Sequence, residues 1–189
     1  MTRWAPEKRD TVGSLATEIL HNYGRGRAFV AVDGLDQQGS RAFADDLVAS
    51  IHEAGHAAFR ASLSDFGFAR AERAKRAGLG DDAVDESTLR RVLIEPFRLG
   101  GSAAWVPRAF DAGADRAFEL EWVTGPADAL LVVDGALAGR ERLAGLWNYA
   151  IWVVGGDVAD RSHESRGRAT AIVDNSDPLH PRRLFDDAC

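Results

Sequence analysis

The stretch RAFVAVDGLDQQGSRAFADDL, residues 27–47, decides the reading of this chain. Its apolar run at 28–32 reads as a buried strand. The run ends in Asp33-Gly34, crosses Leu35-Asp36-Gln37-Gln38-Gly39 and re-emerges as a helix expected from about Ser40. A strand, a tight glycine-flanked loop and a helix is the layout that cradles a phosphate, because the free backbone N–H groups at the helix start face the anion. Gly34 and Gly39 stand at the spacing of G-x-x-x-x-G-K-[ST]. The lysine position holds Ser40 and the hydroxyl position holds Arg41. The frame of a nucleotide site is present, and its two main chemical groups are missing.

The bulk numbers allow such a site without pointing to it. A chain of 189 residues fits one domain with a sizeable core. Its 46% hydrophobic and 28% charged content is ordinary for a globular protein. The net charge of -6 argues against a nucleic-acid surface. The single cysteine, Cys189, permits no internal disulfide, so the expected location is intracellular, in the cytoplasm. No apolar run approaches the roughly 20 residues that span a bilayer, and the N-terminus lacks the apolar core of a signal peptide.

Outward from the loop, strands alternate with helices. Residues 11–23 carry apolar side chains at Val12, Leu15, Ala16, Ile19 and Leu20, the spacing of a one-faced helix. The helix after the glycine loop turns Phe43, Leu47, Val48 and Ile51 to one side and stops at Gly55. His52 and His56 flank that stop, which makes a shared metal a poor reading. Residues 56–63 lead into Ser64-Asp65-Phe66, the apolar-to-acidic change of a strand's carboxyl end, where ligands of open α/β sheets bind. A basic helix follows at 69–78, with Arg70, Arg73, Lys75 and Arg76. It reads as a solvated face, with an anion-facing cluster as the functional alternative. Another helix is expected over 85–97, then an irregular excursion with an antiparallel pair over 102–122. The run at 127–133 is a strand buried on both faces, and Asp134 at its carboxyl end stands where an acid can hold Mg²⁺. A short helix at 140–146, strands at 149–154 and 169–173, and a polar, turn-rich tail complete the chain. The pattern predicts an α/β, doubly wound, mostly parallel five-stranded sheet with helices on both faces. Five tryptophans are expected mainly in the core, an interface such as a homodimer being the other use. Trp4, in a polar segment, is the best candidate for an exposed or partner-covered ring.

Four stretches in series, VAVDGLDQQGSRAFADDL, SDFGFARAER, ADALLVVDGALAGRERLAGLW and AIVDNSDPLHPRRL, resemble the bacterial uridine kinase-like nucleoside kinases of the P-loop fold. The resemblance covers most of the chain. It implies a P-loop kinase-like domain over residues 1–189 and transfer of the ATP γ-phosphate to a nucleoside 5′-hydroxyl, with ATP and Mg²⁺ as cofactors if the chain is active. It assigns Gly34, Gln38, Gly39, Ser40 and Arg41 to the nucleotide. Arg70, Arg73 and Asp111 go to the nucleoside side. Asp65 and Asp134 are the catalytic carboxylates, and Asp134 is also the metal ligand. Asp82 and Asp85 match acids of a nucleoside-side segment whose aromatic partners are absent.

The same comparison exposes three departures. Ser40 removes the lysine charge that meets the β- and γ-phosphates, and Arg41 removes the Mg²⁺-holding hydroxyl. Gln37 and Gln38 crowd the loop but are expected to leave backbone N–H groups available. Arg41, one residue round the helix, projects away from the phosphates. Ser64 replaces the acid expected to accept the nucleoside proton. Asp65, on the opposite face of a continuing strand, replaces it poorly unless the chain bends. Residues 155–168, with Arg161, Arg166 and Arg168, are too few for the family's long helical lid, which excludes water. Losing one preorganised charged group typically costs on the order of a hundred- to a thousandfold in rate. Three losses predict a catalytically degenerate member, or pseudoenzyme, that keeps at most nucleotide or anion binding. The alternative is an active ATP-dependent nucleoside (uridine) 5′-kinase with a rearranged phosphate site.

Overall fold

The computed structural model of the chain describes residues 5–34, 36–76, 84–135, 143, 145–155 and 166–185. Strand β1 (Ala28–Gly34) is buried along almost its whole length. That burial on both faces is why its sequence is a continuous apolar run rather than an alternating one. It lies between β5 (Leu130–Asp134) and β6 (Tyr149–Val154), parallel to both. Beyond β5 lies β2 (Ala58–Ser62), and beyond β6 lies β7 (Ala171–Asp174), again parallel. A further strand, β8 (Arg182–Leu184), pairs antiparallel with β7. The sheet order is β2-β5-β1-β6-β7-β8.

The expected five strands are therefore all present, and a sixth is added from the tail. Arg182-Arg183-Leu184 has no apolar run to announce it. Its pairing comes from ladder hydrogen bonds to β7 at the sheet edge, and from Arg183, which ion-pairs with Glu18.

Helices cover both faces. Helix α1 (Lys8–Tyr23) starts three residues earlier than the apolar spacing indicates, because its first turn is polar. Helix α2 (Gln37–Glu53) packs beside α1 on one face of β1, sharing Leu15, Ile19, Phe43, Leu47 and Ile51 with Val30 and Val32. The opposite face is covered by one helical stretch, 86–99. It consists of α4 (Glu86–Leu89), a π-helical turn (Arg90–Ile94) and α5 (Glu95–Leu99). The widening falls just before Pro96, which has no N–H to return to the preceding turn. Phe97 from this stretch packs edge-on against Phe29 and Trp105, with ring centroids 5.1 Å apart in each pair.

A short basic helix, α3 (Arg70–Arg76), buries nothing. The excursion contains the expected antiparallel pair, β3 (Phe110–Asp111) and β4 (Arg116–Ala117). Trp105 is fully buried and Trp152 nearly so, as core packing requires. Among the described residues the exposed tryptophan is Trp122, whereas Trp4 lies outside them. Most of the expected helix at 140–146 also lies outside the described residues. No helix among the described residues is long and apolar enough to cross a membrane.

Candidate functional site

Parallel strands end together at their carboxyl edges, and the candidate groups gather there. β1 delivers the glycine loop, but the helix begins earlier than the glycine spacing implies. α2 starts at Gln37, not near Ser40, so Gln37 and Gln38 are helical. The physical cause is Asp36. It caps α2, and its carboxylate accepts hydrogen bonds from Gln38 N and Gly39 N, each at 3.0 Å. An aspartate at this position fills orphan donors and favours the helix dipole. Asp36 also gives its carbonyl oxygen to Ser40 N at 3.0 Å and to the Ser40 hydroxyl at 2.9 Å. On the strand side, Gly34 N donates to Asp33 Oδ1 at 2.7 Å.

The N–H groups of Gly34, Gln38, Gly39 and Ser40, expected to face an anion, thus already face the chain's own oxygens. This corrects the expectation that Gln38 and its neighbours keep free donors. Ser40 is 2% exposed and turned inward. The two glycines are required by contact. A Cβ on Gly34 would lie 2.2 Å from the Val153 carbonyl oxygen, and one on Gly39 would lie 2.7 Å from the Asp36 carboxylate.

The second half of the site is built around Asp134, last in β5 and 4% exposed. It is in register with Ser62 at the end of β2, whose hydroxyl donates to Asp134 Oδ2 at 3.1 Å. The other oxygen meets a cation from the same strand. Arg60 Nη1 lies 2.5 Å from Asp134 Oδ1. Its N–H is also given to the Ala61 carbonyl, so Oδ1 receives charge without an aligned hydrogen bond. Arg60 Nε donates to Asp45 Oδ1 of α2 at 2.8 Å, and Nη2 to the Arg41 carbonyl at 3.3 Å. A guanidinium therefore stands against the carboxylate that was expected to hold a divalent cation.

Asp65 joins this cluster because the chain bends. Residues Leu63–Phe66 form a 3₁₀ turn, not the continuation of a strand. The turn puts Ser64 and Asp65 on one side. The Ser64 hydroxyl is 2.9 Å from that of Ser62 and 3.4 Å from Asp65 Oδ1. Burial pushes the Asp65 carboxyl above the ordinary aspartate range; the Arg41 charge opposes that shift and the Asp134 charge adds to it. Arg41 points away from the glycine loop, as the helical rotation predicts, and reaches Asp65 Oδ1 at 3.5 Å. Arg41, Asp45, Arg60, Ser62, Asp65 and Arg108 line an open cavity of roughly 210 Å³.

Two further candidates, Asp111 and Asp85, are engaged in local hydrogen bonds. Asp111 Oδ1 accepts from Gly113 N and Ala114 N, each at 3.0 Å, and so closes the β3–β4 turn. Asp85 caps α4 through Thr88 N and the Thr88 hydroxyl. Asp82 and Arg161 lie outside the described residues, as does most of the segment expected to replace the lid. Arg70 is exposed and its backbone N–H donates to Asp115. Neither Arg70 nor Arg73 lines the cavity. On α3, Glu72 pairs with Lys75 and Arg76, which is the solvated-face reading. His52 and His56 each reach a backbone carbonyl at 2.8 Å, on Ala58 and Asp128. Among the described residues no group of side chains is assembled to hold a metal.

Asp36 and Arg60 carry no role in the sequence reading. Asp36 had a legible signal, an aspartate at an N-cap position ahead of Gln38 and Gly39, and the glycine spacing overrode it. Arg60 is a lone charge on the inward-facing row of β2, between Ala58 and Ser62, where an apolar residue is the usual occupant.

These groups do not suit Mg²⁺ and ATP. Among the described residues the N–H groups of Gly34, Gln38, Gly39 and Ser40 are taken by the chain's own oxygens, two carboxylates stand where phosphate charge would gather, and Arg60 stands where a cation would. The wrapping of a mostly parallel sheet around a glycine loop at its central strand defines the class: the fold is that of the P-loop kinases. No family model and no curated protein matches the chain by sequence. In three dimensions it is similar to a protein described as a possible uridine kinase from Bacillus stearothermophilus. That match has 18% identity and a TM-score of 0.69, and covers 88% of this chain and 98% of that one. It is also similar to D-glycerate 3-kinase from Cryptococcus neoformans var. grubii, at 15% identity and a TM-score of 0.55, covering 80% of this chain and 73% of that one.

Proposed function

We propose that this chain is a uridine kinase-like P-loop protein that has lost phosphoryl transfer, a single kinase-fold domain whose role is binding. The observation that carries the reading is the double self-occupation of the site. Asp33 and Asp36 take the N–H groups of Gly34, Gln38 and Gly39, and Arg60 faces Asp134. Phosphoryl transfer depends on positioned positive charge around the transferred group. Here the lysine and the hydroxyl are replaced, and the loop presents carboxylates instead. Bringing a triphosphate to them would add like-charge repulsion to the loss of donors. The ligand class that this reading implies is a nucleotide, a nucleoside or another small anion, held without turnover.

One observation favours the second reading, an active ATP-dependent nucleoside 5′-kinase with a rearranged phosphate site. The bend at 63–66 gives Asp65 a place beside Ser64, and burial raises its carboxyl, the direction that favours a proton acceptor. Calorimetry with Mg²⁺·ATP, followed by ATP consumption against a panel of nucleosides, separates the two. The degenerate reading expects no turnover above background. Turnover that disappears in Asp134→Ala would overturn it.

A further inference from the structure

We propose that the cavity bounded by Arg41, Arg60 and Arg108 binds a phosphate group, either free or as the monoester of a small molecule. This goes beyond the kinase question, since it concerns a different set of donors from the glycine loop. The three guanidinium groups come from three separate parts of the chain: α2, β2 and the segment after Pro107. They converge on one cavity of roughly 210 Å³ at the carboxyl end of β2. That volume suits a compact ligand. The position is the edge where ligands of open α/β sheets bind.

The arginines differ in how much donor capacity they have left. Arg60 is committed, with Asp45 at 2.8 Å and Asp134 at 2.5 Å, and forms a fixed wall. Arg41 and Arg108 are half-exposed and loosely paired, with Asp65 at 3.5 Å and Glu121 at 3.9 Å. Tight charge-assisted bonds run at about 2.7–2.9 Å. A guanidinium carries five N–H donors in a planar fork suited to phosphate oxygens, so both side chains keep most of theirs for a ligand. Arg108 is also held in place over the Phe118 ring, 4.7 Å from its centroid. Pre-positioning of this kind lowers the ordering cost of binding. Ser62 closes the inner wall, its hydroxyl proton already given to Asp134. Asp65 is the group the anion competes with for Arg41. At the glycine loop, by contrast, Asp33 and Asp36 already take the N–H groups of Gly34, Gln38 and Gly39.

The test is thermal unfolding and calorimetry of the full chain with inorganic phosphate and with glycerol 3-phosphate, against chloride at equal ionic strength. At a ligand concentration about ten times Kd, Tm is expected to rise by roughly 3–6 °C. Arg41→Ala and Arg108→Ala are each expected to weaken binding by about tenfold or more, as loss of a charged hydrogen bond does, while Arg108→Lys keeps part of it. Tighter binding of glycerol 3-phosphate than of phosphate identifies a monoester site, and the reverse order identifies a site for the free ion. Three results would overturn the proposal. One is wild-type Tm unmoved by either ligand relative to chloride. Another is binding that both arginine variants retain in full. The third is binding changed by Asp36→Ala but by neither arginine variant, which would put the anion on the glycine loop. ATP turnover is scored separately, so the binding-only reading and the cavity proposal stand or fall independently.

Discussion

Replacing Asp36 by alanine tests whether this carboxylate governs the loop. In the fold it accepts two backbone N–H bonds of 3.0 Å at the first turn of the 17-residue helix α2. Substituting an aspartate N-cap by alanine costs about 0.5–2 kcal/mol, and the charge at the helix start is worth up to about 1 kcal/mol of this kind. The two contributions overlap, so a loss of about 1–2 kcal/mol is expected. For a chain of this length each kcal/mol moves Tm by roughly 2–4 °C, which places Asp36→Ala about 2–8 °C below wild type in a calorimetric scan. Asp36→Asn keeps a capping oxygen and is expected within about 1 °C to 2 °C of wild type, because asparagine caps nearly as well. If Asp36→Ala melts with the wild-type protein, Asp36 is not closing the donors, and the central argument for a self-filled loop fails. If Asp36→Asn falls as far as Asp36→Ala, the effect is one of charge at the helix start, and the cap geometry is not its cause.

Three other outcomes follow from the same contacts. Arg60→Ala leaves the buried Asp134 without its counter-charge, and because Arg60 keeps 21% of its side chain exposed a loss of about 1–3 kcal/mol is expected; a double-mutant cycle with Asp134→Asn should recover much of it, and additivity of the two single losses would contradict the pairing. Gly34→Ala drives a methyl into the Val153 carbonyl at 2.2 Å, so a loss of about 1–3 kcal/mol or more from overpacking is expected in denaturant titration; a variant as stable as wild type would refute the close approach of β1 and β6. The pH dependence has two opposed parts. The hydrogen bond from Arg183 holds Glu18 below the ordinary glutamate range, so its stabilisation is present at neutral pH and is lost as pH falls through the lowered value. Burial holds Asp65 above the ordinary range, so its ionised form opposes folding above that value, and Asp65→Asn should be at least as stable as wild type at neutral pH and lose that advantage in acid. A scan of Tm against pH on Arg183→Met and Asp65→Asn checks both signs, and an unchanged acid limb in Arg183→Met would count against the Glu18 assignment.

Much of the architecture was written in the chain's apolar runs. Residues 28–32, 127–133 and 149–154 are continuous because their strands are covered on both sides, and that burial needs no knowledge of which strand lies beside which. Two glycines beside an apolar strand likewise announced a strand–loop–helix turn. The carboxyl-end position of Asp134 followed from the same pattern. The rest was settled by geometry between distant residues. Strand β8 has no apolar signature, because an edge strand is held by its ladder and by Arg183 reaching back to Glu18. Asp65 reads as outward-facing until the 3₁₀ turn rotates it beside Ser64. The spacing of Asp111 and Asp85 does not show that each accepts N–H bonds from its own turn.

What the sequence alone determined is the frame: hydrophobic periodicity fixes which segments are strands and which faces are buried, and so places a glycine loop at the end of a buried strand in a mostly parallel sheet. What only the tertiary structure decided is which charges meet there. Asp36 turns back onto its own helix, and Arg60 crosses from β2 to Asp134 on the adjacent strand β5. Coulomb and hydrogen-bond energies depend on distance and burial, neither of which a linear order of residues contains.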